Sequence, residues 1–341
     1  MFIYLRKETY VNESRTPIVP EHVNKLIKAG FQIIVESSEK RVFSDMDFLE
    51  QGAIITTEPW FSQPSETLII GLKELTNLDK LNRHKHIYFS HSYKQQSNAN
   101  QILQAFISTN SIMYDLEYFL NPDGSRVLAF GYHAGLVAAV LGLTQYYNKK
   151  NGLPDINKLQ PWLSVESMLE SCKMYPATIT VVGSGRSAQG VKYILRNFGI
   201  THLSVSRENI FQIKDADIIF NCITLDKNYT DIWVTKETQL NKDQLIVDIS
   251  CDYAKPNNPI SVYSSPTTWE KPVFNYSDKL SIIAIDNLPS LLPRDASIEF
   301  SDKLTALLLR YGDLCWQDNL KIFQDVTTGQ YRSTPFGGTT S

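Results

Sequence analysis

The chain carries only 4 cysteines in 341 residues, and Cys172, Cys222, Cys251 and Cys315 form no CxxC pair and meet no histidines at zinc-ligand spacing. That excludes a disulfide framework and a structural metal site, and reads as buried thiols of a reducing compartment. Charge of one sign is also lacking: 33 Lys and Arg against 36 Asp and Glu leave a net charge of −3. Such a balance does not hold nucleic acid or anionic lipid by bulk electrostatics. Long hydrophobic runs are missing too. The opening MFIYLRKETYVNES offers five apolar residues before charge intervenes, too few for a signal-peptide core. The run from Val127 to Leu143 is broken by His133 and three glycines. It falls short of a membrane span and reads as a buried strand running into a helix between domains. A soluble, cytoplasmic protein is expected, monomeric or a small homo-oligomer, without nucleic-acid or membrane partners.

What is present is ordinary globular composition, 43% hydrophobic and 20% charged, at a length that suits about two domains. In the N-terminal third, short apolar runs alternate with helical patterns, as a parallel α/β sheet requires. Phe2 to Leu5, Phe31 to Val35, Thr67 to Ile70 and His86 to Phe89 read as strands. Pro20 opens a helix striped by Val23, Leu26 and Ile27 and stopped at Gly30, and Ser44 precedes a second helix ending at Gly52. A helix from Ala134 to Tyr147 leaves this first unit. A second alternation follows, with strands at 178–182, 203–205, 217–222 and 245–249 and a helix at 191–198.

The stretch ATITVVGSGRSAQGVKYILRNFG has the strand, glycine turn and amphipathic helix of a dinucleotide fingerprint. Gly183 allows the tight turn, Gly185 lets the backbone approach a pyrophosphate, and Ala188 fills the third position. Ser184 and Arg186 complete the loop, whose helix-start amides suit phosphate. An NAD site places an acidic residue at the tip of the next strand. Here that strand ends in Ser206 and Arg207, with Glu208 one step beyond. A hydroxyl and a guanidinium suit a 2′-phosphate, so NADP(H) is favoured. NAD(H), held through Glu208, is the alternative.

At this point the motifs resemble a known family. RKETYVNESRTPIVPEHV is similar to the opening of the alanine dehydrogenase and transhydrogenase superfamily. IIGLKEL at 69–75, YFSHSYK at 88–94, MYDLEY at 113–118, RVLAFGYHAG at 126–135 and IDNLPSLLPRDAS at 285–297 resemble the lysine-forming saccharopine dehydrogenases. The resemblance runs from Arg6 to about Leu308. It implies two Rossmann-like, doubly wound α/β domains with the active site in the cleft between them. Residues 1–133 with 316–341 would bind substrate, and 134–315 the dinucleotide. It further implies reversible oxidative cleavage of saccharopine to lysine and 2-oxoglutarate with a pyridine nucleotide.

That reaction oxidises a secondary amine to an imine and hydrolyses the imine, so it needs a base for the amine and a group that moves protons near neutral pH. The resemblance gives these roles to Lys73 and His91, both just beyond the carboxyl ends of strands, where ligands of open α/β sheets bind. Arg15 and Arg126 match carboxylate-binding positions, a duty that suits the guanidinium fork, and Lys94 is a further candidate. Glu13, Glu74 and Glu117 match acidic positions of the same motifs. By the same resemblance, Asp286 and Asn287 would line the cofactor side. No histidine, cysteine or carboxylate cluster stands at metal-ligand spacing, so no metal is expected. Three departures stand out: the glycine loop is one residue shorter than the family's GxxGR form, Ser206–Arg207 replaces an acidic residue, and His133 stands where an aromatic is usual. An opine-type dehydrogenase joining another amino acid or amine to a 2-oxo acid would share this catalytic pair. A catalytically silent NADP-binding sensor would keep the fold alone.

Overall fold

The computed structural model describes residues 1–94, 98–225, 229–238, 240, 242–253 and 255–329; the side chains of Lys94, Arg207 and Glu208 fall outside that description. The chain divides into two compact units, Met1–Ala129 together with the chain from Pro293 onward, and Phe130–Leu292.

The first unit is built on six strands: β1 (Phe2–Leu5), β2 (Gln32–Glu36), β3 (Ile54–Thr56), β4 (Leu68–Ile70), β5 (Lys85–Tyr88) and β6 (Ile112–Asp115). Their order is β3-β2-β1-β4-β5-β6 and every pairing is parallel. A parallel sheet is covered on both faces, which is why β1 and β4 read as unbroken apolar runs. Ile3, Tyr4, Leu5, Leu68, Ile69 and Ile70 are all fully buried, each contributing about 1.5–3 kcal/mol of apolar burial. The crossover helices are α1 (Pro20–Lys28), α2 (Asp45–Glu50) and α3 (Ala99–Ser108). Pro20 opens α1 as expected, and a reciprocal capping box between Ser44 and Asp47 opens α2.

The second unit holds α4 (Gly131–Lys150), α5 (Val165–Ser171), β7 (Ile179–Val182), α6 (Arg186–Asn197), β8 (Leu203–Val205), β9 (Ile218–Asn221), β10 (Gln244–Asp248), β11 (Phe274–Ser277) and β12 (Leu280–Ile283). Its sheet order is β11-β12-β10-β9-β7-β8, parallel except for the β11–β12 hairpin at the edge. The chain then returns to the first unit as α7 (Pro293–Leu308) and α8 (Leu314–Thr327). Both sheets are of the doubly wound kind expected.

Several expectations need correction. No strand forms at Val127–Phe130. Val127 N–H instead donates to Phe119 O at 2.8 Å, in a hairpin whose bridge pairs Leu120 with Arg126. The helix that follows is not a connector but part of the second unit's core, because its Gly135 packs backbone to backbone on α6. A Cβ at Gly135 would stand 2.0 Å from Ser187 O, and one at Gly190 would stand 2.1 Å from Tyr132 O. The return to the first unit falls at Pro293, not at residue 316. Ser297 and Ser301 of α7 accept the main-chain N–H groups of Thr16 and Val19, each at 2.9 Å, so α7 supplies the cap that α1 lacks from its own N-cap side chain. The helix after the glycine loop begins at Arg186, five residues before the apolar periodicity becomes visible at Val191. Strands β3, β6, β11 and β12 were not anticipated as elements. Among the described residues no helix is long and apolar enough to cross a membrane.

Candidate active site

In the first sheet the winding direction reverses between β1 and β4, and the loops leaving those two strands are where a doubly wound sheet binds ligand. Lys73 lies three residues beyond β4. Its backbone is held from the neighbouring loop. Glu8 accepts from Leu72 N at 2.6 Å and Lys73 N at 3.0 Å, and Arg6 donates through Nη2 to Lys73 O. Arg6 and Glu8 pair at 3.4 Å with both side chains buried.

The same β1 loop carries Glu13 and Arg15, joined by a bidentate pair at 2.8 and 2.6 Å with Arg15 N also donating to Glu13 at 3.1 Å. Only 1% of Glu13 and 4% of Arg15 is exposed. Burial on its own would raise the Glu13 carboxyl; the Arg15 charge and hydrogen bonds, with Lys73 adding its charge, outweigh it and hold Glu13 below the usual carboxylate range. Lys73 therefore sits within electrostatic reach of Glu13, and its Nζ lies 5.2 Å from the Tyr10 ring centroid.

Beyond β5 and β6 a second group assembles. His91 adopts a left-handed φ of 56°, which costs a non-glycine residue about 1–3 kcal/mol and persists only where the surroundings enforce it. Here they do. Ser90 Oγ donates to Asp115 Oδ2 at 2.6 Å and accepts from Ser92 N at 3.2 Å, while Asp115 Oδ1 accepts from Glu117 N at 2.9 Å. Asp115 thus ties the His91 loop to the turn carrying Glu117, and Asn319 of α8 clasps the Asp115 backbone at 3.1 and 2.9 Å. The result places Glu117 Oε1 3.8 Å from His91 Nδ1 and 3.0 Å from Arg126 Nη1. Glu117 is buried, while His91 and Arg126 are each about one-third exposed, at 38% and 32%. A buried carboxylate thereby lies beside an accessible imidazole and pairs with an accessible guanidinium.

The glycine loop lies at the corresponding reversal in the second sheet, between β7 and β9. Gly183 has φ +105°, and a Cβ there would come within 3.1 Å of the Cys222 backbone, so only glycine fits. At Gly185, the N-cap of α6, a Cβ would meet nothing within 4 Å. Open space beside a bare backbone at a helix start is what a dinucleotide pyrophosphate requires, so these residues fit the group. Ser184 is exposed and Arg186 half-buried. Ala188 is fully buried and serves packing; the close helix contact expected of the third fingerprint position is made by Gly190 against α4.

Other expected residues are placed less centrally. Glu74 and Ser206 are solvent-exposed, as is Asp286, whereas Asn287 is buried at the start of the 288–291 turn. His133 is buried in the first turn of α4 with its ring edge-on to Tyr132. The side chains of Lys94 and Arg207 lie outside the described residues. Among those described, no group of three or more His, Cys, Asp or Glu stands ready to hold a metal ion. Sequence reasoning missed Arg6, Glu8, Asp115 and Asn319. The opposed charges of Arg6 and Glu8 immediately behind a fully apolar strand were the one available sign.

Comparison with known proteins identifies the family. The N-terminal domain of the alanine dehydrogenase/PNT family matches residues 4–137 and its C-terminal domain residues 177–329. Among solved structures, an L-alanine dehydrogenase superposes with a TM-score of 0.70 at 15% identity, covering 94% of each chain; this is likeness of fold. In sequence, the saccharopine dehydrogenase [NAD(+), L-lysine-forming] of Yarrowia lipolytica is 35% identical over 343 residues, covering 90% of this chain and 91% of the relative. That of Neurospora crassa is 33% identical over 350 residues, covering 93% and 92%. Both names specify NAD(+), which runs against the expectation of NADP(H) drawn from Ser206 and Arg207. With this identity spread over nine-tenths of its length, and with both domain models matched, the chain belongs to the lysine-forming saccharopine dehydrogenase family, within the alanine dehydrogenase/PNT fold group.

Proposed function

We propose that the chain is a pyridine-nucleotide-dependent oxidoreductase that converts saccharopine, a nucleotide in its oxidised form and water to L-lysine, 2-oxoglutarate, the reduced nucleotide and a proton, reversibly. The observation that carries this reading is the placement of Lys73 and His91 beyond the carboxyl ends of the adjacent parallel strands β4 and β5, each with its loop fixed by buried side chains.

When bound, the nicotinamide supplies the hydride acceptor. Lys73 takes the proton of the substrate's secondary ammonium, because only the neutral amine can release hydride. His91 serves the hydrolysis: with Nδ1 turned toward Glu117, Nε2 accepts a proton from water as it adds to the imine carbon. It returns that proton to the leaving amine as the carbinolamine collapses. Arg126, half neutralised by Glu117, receives a substrate carboxylate through its fork. Glu13 offsets the charge of Arg15 and Lys73 so that the loop does not trap an anionic substrate.

For the nucleotide we take NAD(H), following the names of the relatives. A higher kcat/KM for NADPH than for NADH, abolished in Arg207→Ala, would restore the 2′-phosphate reading. The catalytic reading is tested by NADH oxidation with lysine and 2-oxoglutarate. Lys73→Met and His91→Gln should each lower turnover by about two to four orders of magnitude while NADH binding persists. Near wild-type turnover removes that residue from the mechanism. A preferred amine other than lysine in a co-substrate panel points to an opine-type activity. Tight NADH binding without oxidation by any amine and oxo-acid pair points to a sensor.

A further inference from the structure

The loop after β4 is anchored more firmly than the loops at strand ends ordinarily are. Loops at strand ends are ordinarily solvated and loosely held. Here Leu72 N–H, Lys73 N–H and Lys73 C=O, three main-chain groups of two adjacent residues, are taken by Glu8 and Arg6 from 64 to 67 residues away. Both side chains are buried and paired to each other at 3.4 Å. A buried ion pair is poor evidence of stabilisation, since apolar residues of the same volume serve as well. What an apolar pair could not do is grip both ends of one residue's backbone. Gly71 completes the arrangement. Its φ lies outside the left-handed region that demands glycine, yet a Cβ there would stand 2.2 to 2.5 Å from the Arg6 guanidinium. Space is the requirement: Gly71 leaves the passage through which Arg6 reaches the Lys73 carbonyl.

We propose that Arg6, Glu8 and Gly71 form a positioning clamp that fixes the main chain of Lys73, so that a half-exposed, flexible lysine presents its amine from one defined point beside Tyr10 and Glu13. The proposal rests on the reading of Lys73 as the group that accepts the substrate proton, and it adds three residues acting through Lys73 without touching substrate. Misplacing a reacting group by about 1 Å costs about 10²-fold in rate, so loosening the clamp should be seen in kcat.

The test is a double-mutant cycle with Gly71→Ala and Arg6→Lys. Gly71→Ala displaces the guanidinium without removing a charge. Arg6→Lys keeps the charge and loses the fork. Each single variant should lower kcat by about 10²-fold with KM for saccharopine little changed, and the double variant should be no worse than the poorer single, because both act on one contact. Tm is followed alongside. Multiplying effects in the double variant, or a lowered Tm with wild-type kcat, would show a merely structural role and overturn the clamp. A second readout needs no turnover: trinitrobenzenesulfonate modification of Lys73, located by mass spectrometry, with Lys7 as the exposed control. Lys73 should be modified faster in both variants; an unchanged rate overturns the proposal. If wild type does not turn over saccharopine, the functional reading fails, and the modification rates still judge the clamp. If Gly71→Ala does not fold, Arg6→Lys carries both readouts.

Discussion

Two glycines five residues apart should answer the same added methyl group differently, one in stability and the other in ligand binding. Gly190 is inside α6, where Ala would ordinarily gain about 1 kcal/mol of helix propensity. Its Cβ, however, would lie 2.1 Å from Tyr132 O, 2.9 Å from Leu136 N and 3.1 Å from the Gly135 Cα. All three are backbone atoms of α4, which cannot rotate aside as a side chain can. Overpacking of this kind costs about 1–3 kcal/mol and sometimes more, and with rigid neighbours the upper end applies. Net of propensity, Gly190→Ala should destabilise by about 2 kcal/mol or more, which for a unit of this size corresponds to a Tm loss of about 4–8 °C. Gly185 has φ −67° and ψ −171°, an extended conformation open to any residue, with empty space where the methyl would go. Gly185→Ala loses a preferred N-cap residue and should cost about 1 kcal/mol at most. Its effect belongs to the ligand. If the empty space is the pyrophosphate seat, the methyl group occupies it, and loss of charge-assisted contacts worth about 1.5–3 kcal/mol weakens NADH binding about ten- to a hundredfold. Calorimetric unfolding without ligand and NADH fluorescence titration measure both variants. Wild-type NADH affinity in Gly185→Ala would refute the loop as the dinucleotide cradle. An unchanged Tm in Gly190→Ala would refute the backbone contact between α4 and α6.

Other expectations concern stability and its pH dependence. Burial pushes the Asp248 carboxyl up from 3.8 to about 6, even though Tyr263, the Cys251 amide and Asn221 all donate to it and lower it in part. The folded chain therefore keeps a proton that the unfolded chain loses near pH 4, so stability should fall by about 3 kcal/mol as pH rises from about 3 to 7, most of it between about 4 and 6. Asp248→Asn should flatten that slope and be more stable than wild type at pH 7.5 in urea titrations; a parallel pH profile would refute the assignment. His86 works in the other direction. Enclosed edge-on by Trp60 and Phe106 at 4.9 and 5.6 Å, it is held well below the ordinary 6.5 by burial first and by Arg6 and His84 after it. The unfolded chain gains a proton below pH 6.5 that the folded chain refuses, so stability is lost as pH falls, by up to about 1.4 kcal/mol per pH unit. His86→Phe should remove that component, and an unchanged acid limb would count against it. Asn319→Ala should leave the Asp115 N–H and C=O without their partner at the edge of the first sheet, costing about 2–6 kcal/mol at about 1–3 per buried group. A loss under about 1 kcal/mol by urea titration would show that another group takes its place.

How far the molecule could be read from its sequence depends on the distance over which each contact acts. Strands β1, β4, β5, β7 and β8 and the starts of α1 and α2 are written in local patterns, so Phe2 to Leu5, Pro20 and Ser44 were legible. So was the glycine turn at 183–185, where neighbouring residues carry the whole signal. Lys73, His91 and Glu117 were singled out as candidates through the family resemblance of their motifs, which follow or flank strands that the sheet order sets side by side. What holds these residues in place was not legible. Arg6 and Glu8 grip Lys73 across more than 60 residues, and Asn319 meets Asp115 across 204. A single sequence pairs such residues only once the sheet is wound. Gly71, Gly135 and Gly190 were hidden for a related reason. None needs a left-handed φ, so no turn signature marks them, and each is required only by what another segment places against it. The α7 boundary failed in the same way. Ser297 and Ser301 look like ordinary helix residues until Thr16 and Val19 present their unpaired amides. Residues that perform chemistry must have particular side chains and so announce themselves, whereas residues that position them are chosen by shape and by leftover main-chain polarity. The second set becomes visible only after the accounting of buried donors and acceptors is complete.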